Sequence, residues 1–150
     1  MTLPKLNFPY YSFSLRQSDG KAEIFDVVRK KYVALTPEEW VRQNVVQYLH
    51  QSLNYPLELI QVEGSITFNS MPKRCDIIVY DKLLKPLLLV ECKKPAVAIS
   101  QKTFDQAMIY NMVLEVPYIL ITNGLQHCCF SLDKSAGKLV FHDSVPQWQA

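Results

Sequence analysis

The sequence contains no long apolar run: no stretch approaches the ~18 residues that a membrane-spanning helix needs. Its first residues, MTLPKLNFPYYSF, do not place a basic segment before an apolar one, so we expect no signal peptide. None of the four cysteines forms a CxxC pair and no histidine has zinc-finger spacing, which argues against structural zinc and favours reduced thiols. We therefore expect a soluble cytoplasmic protein.

No excess of charge identifies a partner, because the formal net charge is only +2. Residues 70 to 102 are more basic, with seven Lys and Arg against three Asp and Glu. A basic segment around a few carboxylates attracts a polyanion and leaves a place for a cation. Ordinary solvated lysines at strand ends would give the same pattern.

The 150 residues, 49% of them hydrophobic, suit one globular domain. We expect a single domain over residues 1–150, with an irregular segment at 1–22 and a core from about 24 to 142. The segment 24–35 reads as one or two short strands. No repeat or linker is evident.

The clearest element is a helix that starts at Thr36. A threonine N-cap, Pro37 at the first helical position and Glu39 three residues after the cap form a capping-box pattern, and the helix is predicted through 53. A second helix is predicted to open at Ser100 or Thr103. Strands are predicted in LELIQVEGSITF (an outer strand bent near Gly64), RCDIIVYD, KPLLLVECK, VPYILITNG, HCCFSL and KLVFH. The predicted class is α/β: a mixed sheet flanked by helices, in the order helix, three strands, helix, strand and C-terminal hairpin.

The stretch LLLVECKKP, residues 87–95, places charges directly behind a buried strand. Alternation along the strand puts Glu91 and Lys93 on one face and Cys92 in the core. The short turn at 81–85 predicts an antiparallel hairpin, so Asp76, at the start of the preceding strand, should lie beside Glu91. Protonation, a cation or Lys93 can relieve the repulsion between two carboxylates. A salt bridge would satisfy these charges equally well.

Carboxylate oxygens and a backbone carbonyl are hard ligands that suit Mg²⁺. A cation held there would polarise a phosphoryl oxygen, and Lys93 would hold the attacking water or the phosphate. Gln106 and Tyr110, four residues apart on one helical face, could point at a nucleic-acid backbone. Gln106 also fits a capping box with Thr103, and Tyr110 also fits a half-buried core position.

In this order of elements, Asp76, Glu91-x-Lys93 and Gln106-x-x-x-Tyr110 resemble the PD-(D/E)xK nuclease superfamily. More closely, the blocks TPEEWVRQ, KRCDIIVYD, LLLVECKKP and FDQAMIYNMVLEVPYILITNG resemble the N-terminal nuclease domain of type I restriction enzyme R subunits. The resemblance covers roughly residues 24–142.

The resemblance implies DNA cleavage that depends on Mg²⁺, with Mn²⁺ as a substitute. It makes Asp76, Glu91 and Lys93 the catalytic residues. The implied metal ligands are Asp76, Glu91, the carbonyl of Cys92 and an acidic residue of the first helix. We take that residue to be Glu38, because Glu39 serves the capping box, although both could simply complement the helix dipole. The residues expected to contact DNA are Gln106, Tyr110, Lys94 and Arg74.

The sequence departs from the family at two points. Cys75 stands where the superfamily has its proline. The R subunit continues into an ATP-driven translocase, whereas these residues contain no GxxxxGK[ST] phosphate-binding loop. We therefore expect the cutting module without its motor, acting alone or with a translocase or specificity subunit on another chain. Cutting both strands favours a homodimer or repeated nicking. The alternatives are a catalytically inactive nucleic-acid-binding or assembly module that kept the fold, and a protein in which Lys93 simply neutralises its neighbours.

Overall fold

The structure is a computed structural model that describes residues 2–150. Its first part is a three-stranded antiparallel sheet of β1 (Leu15–Ser18), β2 (Lys21–Asp26) and β3 (Lys31–Ala34). The expectation of an irregular segment over residues 1–22 is wrong for its last third. The turn Asp19-Gly20, whose φ angles are 51° and 75°, closes a β-hairpin there. Pairing with β2 overrides the weak local pattern of the polar strand LRQS.

The first helix begins as predicted. Thr36 is the N-cap of α1 (Pro37–Gln47), and its side chain accepts a hydrogen bond from the Glu39 amide at 3.1 Å. The helix then continues as a π-helical turn, Tyr48–Ser52, instead of as α-helix through residue 53. Val41, Val45 and Leu49 are fully buried on one face, so this face anchors the helix to the sheet.

The main sheet has six strands in sequential order. They are β4 (Ile60–Phe68), β5 (Met71–Tyr80), β6 (Pro86–Cys92), β7 (Tyr118–Thr122), β8 (His127–Asp133) and β9 (Lys138–His142). Only the β6–β7 pair is parallel, and α2 (Gln101–Leu114) makes the crossover between them. The predicted class and order of elements are confirmed: a mixed sheet with flanking helices and a C-terminal hairpin, β8–β9.

The two faces of the sheet carry separate cores. Leu88, Val90 and Cys92 of β6 point into the cluster that contains the α1 residues, whereas Leu89 points into the cluster that contains Ala107 and Tyr110 of α2. Alternation along the strand therefore places α1 and α2 on opposite faces. Among the described residues, no helix is long and apolar enough to cross a membrane.

The predicted bend of the outer strand falls at Glu63, directly before Gly64. Glu63 has a left-handed backbone, with φ 55°, and the ladder between β4 and β5 skips it and the residue opposite, Asp76. A non-glycine residue in this region is strained, and such strain gathers at functional sites. The irregularity therefore directs attention to Asp76.

Candidate active site

The β5–β6 hairpin brings Asp76 and Glu91 to one end of the sheet. Its last paired residues there are Ile77 and Val90, so Asp76 and Glu91 occupy the next cross-strand position. The Asp76 Oδ2 atom accepts a hydrogen bond from the Cys92 amide at 2.8 Å, which fixes the carboxylate against the end of β6. The two side chains line one cleft of about 270 Å³. The structure thus brings together the two acids that the sequence singled out.

Lys93 follows directly on the same strand. Its Nζ lies 3.5 Å from Glu91 Oε1, and its side chain is 29% exposed against 6% for Glu91. Cys92, between them, is buried on the opposite face, as alternation requires. The lysine is therefore the solvent-facing member of the pair and can reach a bound molecule, whereas the glutamate is held inside.

Burial raises the pKa of two glutamates in the cleft. Burial, together with the charge of Asp76, brings the pKa of Glu91 to about 7, although Lys93 opposes the shift. Burial, followed by the charge of Asp76, also raises the pKa of Glu38. Both carboxyl groups therefore lose a proton less readily than a solvated glutamate does.

Arg42 is the main residue of the site that sequence reasoning missed. Its side chain is 8% exposed, and its Nη2 donates to Asp76 Oδ1 at 2.8 Å. Burial lowers the pKa of this guanidinium, but the hydrogen bond and charge of Asp76 outweigh burial and raise it. The available signal was its spacing: Arg42 lies four residues after Glu38 and three after Glu39, on the same helical face.

The two glutamates at the start of α1 have different surroundings. The Glu38 side chain is 46% exposed, lines the cleft and lies 3.4 Å from Arg42. Glu39 is buried, and its carboxylate accepts hydrogen bonds from Arg29, Arg42 and Gln43. Glu39 was expected to act as the capping-box partner of Thr36, but its side chain instead joins the buried ion pairs because two arginines offer stronger partners.

Those ion pairs extend to the three-stranded sheet. Arg29, at the β2–β3 turn, contacts Asp26, Glu39 and Glu63. Glu63 in turn lies 3.6 Å from Arg42. Neither Arg29 nor Glu63 carried a local signal, because their partners are distant in sequence.

Gln106 and Tyr110 both lie in the cleft that contains the acids. The Gln106 Nε2 atom donates to the Tyr110 hydroxyl at 2.9 Å, and Tyr110 is 4% exposed. Ser100 is the N-cap of α2, so the capping box between Thr103 and Gln106 does not form. Gln106 and Tyr110 lie on one face of α2, as expected, and Gln106 is the residue of the two whose side chain can turn toward solvent.

The expected DNA contacts divide between two adjoining clefts. Arg74, with a side chain 76% exposed, lies in the cleft of the acids. Lys94 lies in a neighbouring cleft of about 400 Å³ with Lys102, and this second cleft shares Glu38, Lys93 and Gln106 with the first. A positively lined path therefore leads away from the acids along the start of α2.

The donor set fits a hard divalent cation in its chemistry. Four carboxylates and three cationic side chains line the cleft of the acids, which leaves a formal charge of −1. Within residues 2–150, no three His, Cys, Asp or Glu side chains form a metal-binding cluster. One or two carboxylates with several waters are the usual Mg²⁺ arrangement, so Asp76 and Glu91 would suffice as side-chain ligands for such an ion.

The fold and the site together define a nuclease-like α/β domain. Residues 37–146 match the family model of the type I restriction enzyme R protein N terminus (HSDR_N), and the chain belongs to this family. No curated protein matches the sequence.

Two solved structures are similar to the chain. One is a fragment of a proposed HsdR subunit of a type I restriction enzyme from Vibrio vulnificus, with a TM-score of 0.54 and 19% identity over 75% of this chain and 24% of that one. The other is a DUF820 protein from Anabaena variabilis proposed to be a nuclease, with a TM-score of 0.49 and 10% identity over 86% of this chain and 80% of that one. The chain thus spans about a quarter of the HsdR fragment, which it resembles in fold.

Proposed function

We propose that this chain is a Mg²⁺-dependent endonuclease domain that hydrolyses DNA phosphodiester bonds. The observation that carries the proposal is the convergence of Asp76, Glu91 and Lys93 in one cleft at the end of a strand hairpin. Membership of the R-protein family supports the same reading.

Asp76 and Glu91 would hold the cation, with the carbonyl of Cys92 as a further oxygen ligand. When bound, Mg²⁺ supplies Lewis-acid polarisation of the scissile phosphate. Glu38, exposed at the rim of the same cleft, can reach the cation through water. The low exposure of Glu91 excludes bulk water and strengthens its interaction with a cation.

Lys93 is placed to act on the substrate. Its ammonium group is anchored by Glu91 yet partly exposed, so it can orient the attacking water and stabilise negative charge that develops on the phosphate. Its charge also opposes the rise in the pKa of Glu91 and favours the ionised, metal-binding carboxylate.

The DNA backbone would follow the neighbouring basic cleft. Lys94 and Lys102 lie there beside Gln106, which belongs to both clefts. Lysines that contact phosphates release counterions on binding, so affinity should fall as salt rises. These contacts position the backbone without reading its sequence.

Any sequence specificity and motor activity would come from other chains or regions, such as a specificity subunit or a translocase. Cleavage of both strands would need two active sites, supplied by a homodimer or by repeated nicking.

Cleavage of circular DNA in Mg²⁺ tests the proposal. Asp76→Ala, Glu91→Ala and Lys93→Ala should each abolish cleavage while the protein stays folded. Lys82→Ala, in the exposed β5–β6 turn, is the matched control and should cut normally. Full activity in all three site variants would refute the assignment.

The Asp76–Arg42 ion pair favours one second function, a nucleic-acid-binding or assembly module that kept the fold without catalysis. In that case Arg42 permanently occupies the place of a cation. The same assay separates the two, because such a module would bind DNA in a salt-sensitive way and yield no product in any variant.

A further inference from the structure

Arg42 has two different sets of partners on its two terminal nitrogens. Nη2 contacts Asp76 at 2.8 Å and Glu38 at 3.4 Å. Nη1 contacts Glu39 at 2.8 Å and Glu63 at 3.6 Å. One nitrogen thus binds the two acids that are expected near the metal, while the other binds Glu39 and Glu63, which are not expected to be ligands.

This division allows the guanidinium to release Asp76 and still keep an ion pair with a buried carboxylate. If the side chain turns, Nη1 can keep Glu39, which is buried and fixed by Arg29 and Gln43 as well. The Arg42 Nε–H is buried without a hydrogen-bond partner among the described residues. The present orientation therefore leaves one donor of Arg42 unsatisfied. Turning the guanidinium away from Asp76 should cost less hydrogen-bonding free energy than it would for a fully bonded group.

Arg42 also competes directly with a cation for the same carboxylate. Oδ1 of Asp76 accepts from Arg42, and Oδ2 accepts from the Cys92 amide. A divalent ion that binds Asp76 and Glu91 would lie close to the guanidinium, and because the side chains of these three residues are largely buried, the two positive charges would repel each other strongly. The metal and the Arg42–Asp76 contact therefore oppose each other.

We propose that Arg42 is the resident counter-cation of the site: it neutralises Asp76 in the metal-free protein, must withdraw toward Glu39 when a divalent cation binds, and so sets the metal affinity. The inference rests on the proposed function, since it assumes a cation at Asp76 and Glu91. Arg42 is enclosed by carboxylates and only 7% exposed, which makes a phosphate-binding role less compatible with its surroundings.

The structure offers a matched control in Arg29. Arg29 shares Glu39 and Glu63 with Arg42 but has no contact with Asp76 or Glu38. Arg29→Gln therefore removes a cation from the same ion-pair network without freeing the proposed ligand. A change in metal affinity that occurs in Arg42→Gln but not in Arg29→Gln is therefore assigned to the contacts of Arg42 with Asp76 and Glu38.

The first test is calorimetric titration of Mn²⁺ into wild type, Arg42→Gln and Arg29→Gln, each saturated with an uncleavable DNA duplex. Arg42→Gln should bind Mn²⁺ roughly tenfold more tightly than wild type, as removal of one nearby positive charge typically produces. Arg29→Gln should stay within about twofold, because its charge is farther from Asp76. Adding Asp76→Asn to Arg42→Gln should remove the gain.

The outcomes separate this inference from the proposed function. If wild type binds Mn²⁺ and a folded Arg42→Gln binds it equally or more weakly, the inference alone is overturned. Weaker binding would make Arg42 an orienting residue for Asp76. Failure of both proteins to bind Mn²⁺ would contradict both proposals.

A second measurement needs no substitution and so covers the case in which Arg42→Gln does not fold. In ¹⁵N-labelled wild type saturated with the same duplex, added Mg²⁺ should shift the Arg42 Nε resonance and leave the Arg29 Nε resonance in place. An Arg42 resonance that does not move at saturating Mg²⁺ would show that the guanidinium keeps Asp76, against the proposal.

Discussion

Replacement of Glu91 by glutamine should stabilise the metal-free protein above neutral pH. Glu91 is 4% exposed, and burial raises its pKa from the ordinary 4.5 to about 7. Because the pKa of Glu91 is raised in the folded state, the stability that this carboxyl group contributes to the fold is complete below pH 4.5. It is lost as pH rises through 7. Glutamine cannot ionise and avoids this loss.

The expected gain in the free energy of unfolding follows from the shift in the pKa of Glu91. The rise in pKa corresponds to about 3 kcal/mol once Glu91 is fully ionised. The pKa of about 7 already includes the opposing ion pair with Lys93, at 3.5 Å, so no separate allowance for that pair is subtracted. We therefore expect a gain of about 3 kcal/mol at pH 8. Because Glu91 is mostly protonated in the folded protein at pH 5, the gap between variant and wild type should widen by about 2 kcal/mol from pH 5 to pH 8.

Urea unfolding in EDTA at the two pH values measures this gap. Glu58→Gln, at an exposed position just before β4, is the control for loss of a carboxylate. A Glu91→Gln protein that becomes less stable than wild type as pH rises would refute the reasoning. It would show that Glu91 and Lys93 form a stabilising structural ion pair that needs no cation.

Three further substitutions test the catalytic role of Lys93, the charge of Asp26 and the packing around Gly124. Lys93→Ala should lower the DNA cleavage rate by about 100-fold or more with Mn²⁺ binding retained by calorimetry, whereas unchanged cleavage would remove Lys93 from catalysis. Although burial raises the pKa of Asp26, hydrogen bonds from the turn that follows it lower the pKa overall. Asp26→Asn should therefore cost roughly 3 kcal/mol at pH 7, and the difference from wild type in urea unfolding should shrink as pH falls below about 4; a constant difference would contradict this. Gly124 has φ 88°, and an added Cβ would lie 2.8 Å from Leu6, so Gly124→Ala should cost about 1–3 kcal/mol in thermal unfolding. Gly137→Ala, with positive φ and open space, is its control, and an equal loss would show that packing is not the cause.

The placement of Asp76 beside Glu91 followed from local sequence signals. The short turn at 81–85 set the hairpin, and the apolar runs on either side set which ends of the strands meet. The order of helices and strands after residue 36 was predictable for the same reason, because each element carries its own cap or apolar pattern.

The charged surroundings of the acids were not predictable in this way. Arg42 and Glu39 share a helix and offered a spacing signal, but the contact between Arg42 and Asp76 joins residues 34 apart. Glu63 reaches the site through a strained backbone, which no propensity predicts. Of the three-stranded sheet, the short strands predicted over residues 24–35 are present as β2 and β3, whereas β1 was missed because it is short, polar and stabilised by pairing with β2.

We propose that Asp76 and Glu91 share a divalent cation, and anomalous diffraction from crystals grown with Mn²⁺ and an uncleavable duplex would test this claim. We expect a peak roughly 2.1 Å from a carboxylate oxygen of each residue, and the loss of this peak in Asp76→Ala. With DNA bound, an absent peak and Arg42 still paired with Asp76 would contradict the claim and leave a nuclease fold whose site is closed by its own arginine.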